Sequence, residues 1–228
     1  MSNKNKLQRF AENKTFSNMF QYTFDEVKDG FYLKGNWRKS FFKNNNPIVV
    51  ELACGKGEYT VGLAQRYPDK NFIGMDIKGA RIWQGLVNAQ KLNLSNVAFI
   101  RTRIDQIGFY FDEKEIDEIW ITFPDPQPRR IKEKKRLTSP QFLARYKPLL
   151  KENHIIHLKT DNIIFYDYTM DVIRDDNHEL LYQNEDIYHS ELDNEVTQIQ
   201  TFYEKIWLKN GVKIKFLEFR INKDAYTG

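Results

Sequence analysis

The sequence predicts an α/β protein: a mostly parallel twisted sheet with helices on both faces and an antiparallel C-terminal edge. Two observations carry this. From residue 47 to 178, short and nearly continuous apolar runs alternate with segments of helical period, the pattern of parallel strands covered on both faces. After residue 178 the pattern changes to strand-like runs with alternating polarity, which suits antiparallel pairing at a sheet edge. A chain of 228 residues that is 41% hydrophobic can bury a full core in one globular unit.

The elements follow in order. "PIVVELA" reads as the first strand of this series, then a Gly-containing loop leads into a helix over "EYTVGLAQRY". "NFIGMD" is a strand, "ARIWQGLVNAQKL" a helix, "NVAFI" a strand, and a short helix follows near 104–111. "DEIWITF" is a strand ending in a proline-rich loop. Ser139-Pro140 then starts a helix, with a capping residue followed by Pro in the first turn. "HIIHLKT" is a strand, followed by a helix over 162–174. The chain finishes with a strand in "ELLYQNEDIY", a helix around "TQIQTFYEKIWLKNG" and the strand "VKIKFLEFR". Residues 1–46 read as an N-terminal extension and 47–228 as the main domain. The extension's aromatics, Tyr22 and Trp37 among them, are expected to pack on the domain in preference to stacking on a ligand.

Composition limits the function classes. Lys and Arg total 35 against 31 Asp and Glu, so a net charge of +4 does not by itself imply a nucleic-acid partner, and the distribution decides. Residues 129–136 are nearly all basic, whereas "NEDIYHSELDNE" is acidic. The single cysteine, Cys54, excludes an intrachain disulfide, and no long apolar run or signal-like start appears, which reads as a soluble cytoplasmic protein. His154 and His157 do not share a strand face, and His178 and His189 lie elsewhere, so no metal site is expected.

"VVELACGKGEYT" puts Glu51 at a strand end and Gly55 and Gly57 in the turn to a helix, where backbone N–H groups are unpaired and a ligand can come close. A tight turn without a ligand would need the same glycines. Asp76 ends the next strand, where an acid can take the hydroxyls of a ribose. A dinucleotide fingerprint wants a third small residue, but Thr60 stands there, and Glu51 would lie close to a pyrophosphate. S-adenosylmethionine carries an ammonium and a sulfonium and no phosphate, so it suits a nearby carboxylate. The pattern therefore favours a Rossmann-like class I methyltransferase over a dehydrogenase.

The fourth strand of the series ends in "TFPDPQPRRIKEKKRLTS". Pro124 and Pro126 lack backbone donors and stiffen the chain around Asp125, which opens onto the crevice expected at the strand ends. A loop aspartate paired with Arg129 or Arg130 is the plainer reading. The Asn/Asp-Pro-Pro-aromatic motif of nucleic-acid amino methyltransferases is not matched.

Together "ELACGKGEYTVGLA", "FIGMDIKGAR", "TFPDPQPRR…KKRLTSPQFL", "HLKTDN" and "TFYEKIWLKNG" resemble, in order and spacing, the bacterial tRNA guanine-N7 methyltransferases. The resemblance implies methyl transfer from S-adenosylmethionine to N7 of a guanosine in the tRNA variable loop. It puts cofactor contacts on Glu51, Asp76 and Asp125 beside the loop glycines Gly55 and Gly57, and substrate contacts on Arg129, Asp161, Thr201, Tyr203 and Glu204. Three positions depart from the family: Ala53 for Gly, Gln127 for Trp, and Arg103 where Asp or Asn contacts the cofactor's adenine end.

Guanine N7 has a lone pair and no proton, so its methylation needs no general base and rests on positioning. Asp125 would accept hydrogen bonds from guanine or stabilise the charge gained by the ring, and the following cations, Arg129 through Arg136, would hold phosphates. Two rivals stay open from sequence: a methyltransferase of another RNA or a small molecule, and a non-enzymatic RNA-binding protein with a vestigial crevice. The sequence leaves monomer and homodimer equally open.

Overall fold

The computed structural model describes residues 4–226, in two compact units that divide between Asp112 and Glu113. In the first unit, α1 (Lys6–Asn13), β1 (Met19–Phe20) and a single-turn α2 (Phe24–Val27) precede the alternation β2 (Ile48–Leu52), α3 (Glu58–Arg66), β3 (Asn71–Asp76), α4 (Gly79–Lys91) and β4 (Val97–Arg101). The strands stand in the order β1-β4-β3-β2, all parallel. Every residue of β2 and β3 is buried, which is why, apart from Glu51, Asn71 and Asp76, their sequences are apolar and not alternating.

The described residues before β2 are tied into this unit. Met19 and Phe20 add an edge strand beside Phe99 and Ile100. Asn13 is fully buried and donates to the Gly79 carbonyl at 2.8 Å, while the Trp83 indole donates to Glu12 at 2.7 Å. Trp37 is also fully buried, with its indole N–H on the Tyr110 carbonyl at 2.9 Å. Tyr22 is partly exposed and packs edge-on to Phe31.

The second unit contains β5 (Ile116–Thr122), α5 (Pro140–Tyr146), β6 (Leu150–Thr160), α6 (Ile163–Asp175), β7 (Glu179–Asn184), α7 (Glu195–Gln198), α8 (Phe202–Lys209) and β8 (Lys215–Arg220). β5 and β6 are parallel. β8 returns antiparallel to β6 and β7 antiparallel to β8, in the order β5-β6-β8-β7, so the change of sequence pattern after residue 178 marks the change of pairing. The helix expected around 197–211 is broken: Ile199 is extended, and Thr201 starts α8 afresh as its N-cap. The Thr201 hydroxyl accepts from the Glu204 amide, and the Glu204 carboxylate accepts from the Thr201 amide, each at 3.1 Å; this capping box outcompetes helical continuity.

Candidate functional site

The turn from β2 to α3 is built on two buried acids. Glu51 is 3% exposed, and its Oε2 accepts the Thr60 amide at 2.8 Å and the Thr60 hydroxyl at 2.5 Å. The N-cap of α3 is Gly57, which has no side chain to cap the helix, so Glu51 takes over one of its unpaired amides. A carboxylate thus caps the first turn of α3, which disfavours an anionic ligand there, and Thr60, the residue that breaks the dinucleotide fingerprint, helps to hold it.

Asp76, 8% exposed at the end of β3, reaches back to the same turn. One of its oxygens accepts the Gly55 amide at 2.9 Å and the other the Lys78 amide at 2.7 Å. The structure thus brings Glu51, Gly55 and Asp76 together around Cys54. Burial pushes the Cys54 thiol well up, and the charges of Glu51 and Asp76 push it further. Glu51 and Asp76 thus add two negative charges beside this turn.

The two glycines have different reasons. Gly55 has φ +57°, and a Cβ there would meet nothing nearer than the Ala53 carbonyl at 4.0 Å, which leaves room for a ligand. A Cβ on Gly57 would come within 2.7 Å of Phe99, so Gly57 serves internal packing. Ala53 also has positive φ, +58°, which explains why glycine suits that position; alanine there costs about 1 kcal/mol.

Arg103 does not join this cluster. It precedes a short 3₁₀ helix, Ile104–Phe109, and grips Asp105 with two hydrogen bonds of 3.0 and 2.6 Å, which raise the guanidinium pKa. The guanidinium pairs with its neighbour while its side chain stays 65% exposed.

In the second unit, the loop after β5 presents Asp125 exposed to solvent. Phe123 and Gln127 bracket it at φ +46° and +44°, a left-handed conformation costing side-chain-bearing residues about 1–2 kcal/mol each. The Phe123 amide donates to the Lys159 carbonyl at 2.9 Å, and the Gln127 amide donates to Asp125 Oδ1 at 3.0 Å. Asp125 is therefore oriented by its own loop and is paired with neither Arg129 nor Arg130 in any ion pair among the described residues. Arg129 is exposed and leads into a 3₁₀ turn, Arg130–Lys135, whose arginine and lysines are all exposed.

Arg136 departs from the sequence expectation that the whole basic run faces a substrate. It is 4% exposed, and its guanidinium donates to the carbonyls of Pro126 and Gln127 at 3.2–3.3 Å. The loop's carbonyls need donors that its prolines cannot supply, which draws this one cation inward.

Asp161, just beyond β6, is half-buried, and burial raises its carboxyl pKa. Tyr203 is 46% exposed, with Phe202 edge-on at 5.5 Å. Thr201 and Glu204 are buried, the latter completely, so they differ from Tyr203 in being unable to meet a substrate without rearrangement. Glu204 Oε1 lies 2.5 Å from the Lys159 ammonium and accepts the Tyr188 hydroxyl at 2.7 Å. Burial lowers the Lys159 pKa to about 8, against the opposing pull of Glu204. Sequence reasoning passed over Lys159, although a lysine inside an apolar strand is a signal that an acid must be found for it.

Comparison with known proteins places these features. A family model described as "Putative methyltransferase" matches residues 45–217. The chain is 53% identical to a tRNA (guanine-N(7)-)-methyltransferase of Christiangramia forsetii, over 97% of this chain and 100% of that protein. It is 46% identical to a protein of the same name from Bacteroides fragilis, over 97% of this chain and 88% of the relative. Among solved structures, the 16S rRNA methyltransferase KamB shares the fold, with a TM-score of 0.63 at 10% identity over 81% of this chain and 92% of that one. No described helix is long and apolar enough to cross a membrane, and no described group of His, Cys, Asp and Glu could hold a metal ion.

Proposed function

We infer that this chain, which belongs to the tRNA (guanine-N(7)-)-methyltransferase family, methylates N7 of a guanosine in tRNA with S-adenosylmethionine as the donor. The carrying observation is the similarity to proteins of that name along nearly the whole chain. The finer parts of the proposal are that the guanosine lies in the variable loop, that the enzyme works in the cytoplasm, and that residues 1–46 are an extension of a methyltransferase domain over 47–228.

The proposed roles follow from the local chemistry. Asp76 takes the ribose hydroxyls of the donor, Gly55 lets it approach the backbone, and the negative charge of Glu51 and Asp76 favours its cationic groups. S-adenosylmethionine supplies an electrophilic methyl group. N7 of guanine needs no deprotonation, so the protein's task is orientation. Asp125 accepts from the guanine N1–H and amino group or offsets the positive charge the ring acquires, while Arg129, Asp161 and Tyr203 contact the nucleoside and its neighbours. Thr201 and Glu204, buried as they are, support this set by fixing α8.

The direct test is nucleoside mass spectrometry of unmodified tRNA incubated with the protein and S-adenosylmethionine, using a second transcript in which the variable-loop guanosine is replaced. Formation of 7-methylguanosine in the first transcript alone supports the full reading. Equal product in both moves the target elsewhere in the tRNA, and no product in either refutes the activity.

A further inference from the structure

Arg136 ends the basic run yet lies beneath the loop that carries Asp125. That loop has few means of holding its shape. Pro124, Pro126 and Pro128 have no N–H to donate, and Phe123 and Gln127 sit at positive φ, a conformation that persists only where the surroundings enforce it. Enforcement comes from two directions. At the start of the loop the Phe123 amide is anchored to the β6 backbone at Lys159. At its far side the Arg136 guanidinium donates to two consecutive carbonyls, Pro126 and Gln127, while its central carbon lies over the Tyr168 ring of α6, 4.3 Å from the ring centroid. Gln127 is the residue whose amide holds the Asp125 carboxylate, so the chain of contacts runs Tyr168, Arg136, Gln127, Asp125.

We propose that Arg136 is a positioning residue: lying over the Tyr168 ring and bridging the Pro126 and Gln127 carbonyls, it fixes the orientation of Asp125, and it is not a phosphate contact as its exposed neighbours are proposed to be. This rests on the methyltransferase reading above for its catalytic consequence, but the structural part stands separately. Arginine suits the task because its planar fork can donate to two acceptors while stacking on an aromatic face. Lysine offers a point charge that cannot do both. Burial at 4% also keeps the guanidinium from reaching a phosphate without leaving the loop.

The test uses the full-length protein with Arg136→Met, Arg136→Lys and Tyr168→Leu. Three quantities are measured: single-turnover methyl transfer at saturating tRNA transcript and S-adenosylmethionine, the salt slope of tRNA affinity, and hydrogen exchange at the Gln127 amide in the absence of RNA. Arg136→Met is expected to slow transfer about 10- to 100-fold, the scale of a small misplacement of a reacting group, with Arg136→Lys and Tyr168→Leu intermediate. The salt slope should stay unchanged and Gln127 exchange should quicken in all three. A slope flatter by about 0.7 with parental exchange would make Arg136 a phosphate contact and overturn the proposal. Parental transfer and exchange would overturn it as well. If Arg136→Met does not fold, the other two variants make the same comparison. If the parental protein methylates no tRNA, the activity reading fails, while the exchange measurement still decides whether Arg136 holds the loop.

Discussion

Lys159 and Glu204 form an ion pair of 2.5 Å in which neither side chain has any exposed surface. The pair joins β6, beside the Asp125 loop, to α8 near its N-terminus. Tyr188 donates to the same carboxylate, and Lys159 also donates to the backbone carbonyls of Val196 and Ile199, so several segments meet on two charges. Removing one partner leaves the other charge buried and unpaired. Glu204→Leu should therefore destabilise the protein by about 3–5 kcal/mol, and the Lys159→Met/Glu204→Leu double variant should lose less than Glu204→Leu alone. Urea unfolding of these two variants and of the single Lys159→Met variant checks this; strictly additive losses would show that the two charges are not coupled.

Asp76 accepts the Gly55 amide of the β2–α3 turn and the Lys78 amide at the start of α4, and is proposed to hold the donor's ribose. Asp76→Ala should weaken S-adenosylmethionine binding by about 1–3 kcal/mol, the scale of lost hydrogen bonds to a charged acceptor. Isothermal titration reads this directly. Unchanged affinity would remove Asp76 from the donor site and leave it a purely structural role.

Much of the fold could be read from the sequence because its strands are buried on both faces, and nearly continuous apolar runs such as Phe72–Met75 admit few other interpretations. The acids of the first unit were equally accessible, since Glu51 and Asp76 close such runs. What escaped was pairing over long sequence separation. Arg136 looks like its neighbours in a basic run, and only the donor shortage of a proline-rich loop distinguishes it. Lys159 stands out in its strand, but nothing local names Glu204 as its partner. The break at Ile199–Thr201 depended on a capping box whose Thr-x-x-Glu signature was present but lay inside an otherwise helical pattern.

Arg103 stands where relatives in the resemblance carry Asp or Asn, and its guanidinium pairs with Asp105. A guanidinium has no acceptor for an adenine amine. Arg103→Asn should therefore leave S-adenosylmethionine affinity intact or raise it by titration calorimetry. A large loss would give Arg103 a role of its own.

His157 gives the second unit a pH-dependent stability. The imidazole is buried, stacks on Trp120 at 4.0 Å, and has Glu218 at 3.2 Å and Glu118 at 3.6 Å. Burial alone would lower its pKa, but the two carboxylates prevail and raise it above the ordinary 6.5. A raised folded-state pKa means the folded protein holds this proton more tightly. The stabilisation is complete below the unfolded value and is lost as pH rises through the folded one. Urea midpoints measured from about pH 5.5 to 8.5 should show this fall in the parental protein and lose it in His157→Gln. Parallel profiles for the two proteins would exclude His157 as the source.

The exposed cations after Asp125 should act through counterion release. If Arg129, Arg130 and Lys132 each neutralise a phosphate, each contributes roughly −0.7 to the slope of log affinity against log salt for a single strand. Changing all three to Ala should flatten the slope by up to about 2, less if Arg129 contacts the guanosine instead. S-adenosylmethionine affinity should barely move, because no cofactor role is proposed for any of the three. The structure adds an internal control that the sequence did not provide. Arg136 belongs to the same run but is buried against Tyr168, so its replacement should leave the slope untouched while slowing transfer. A merely solvated face predicts weak, screened effects and the parental slope for the triple variant. That result would rule out phosphate contacts and reduce the run's part in catalysis to Arg136 alone.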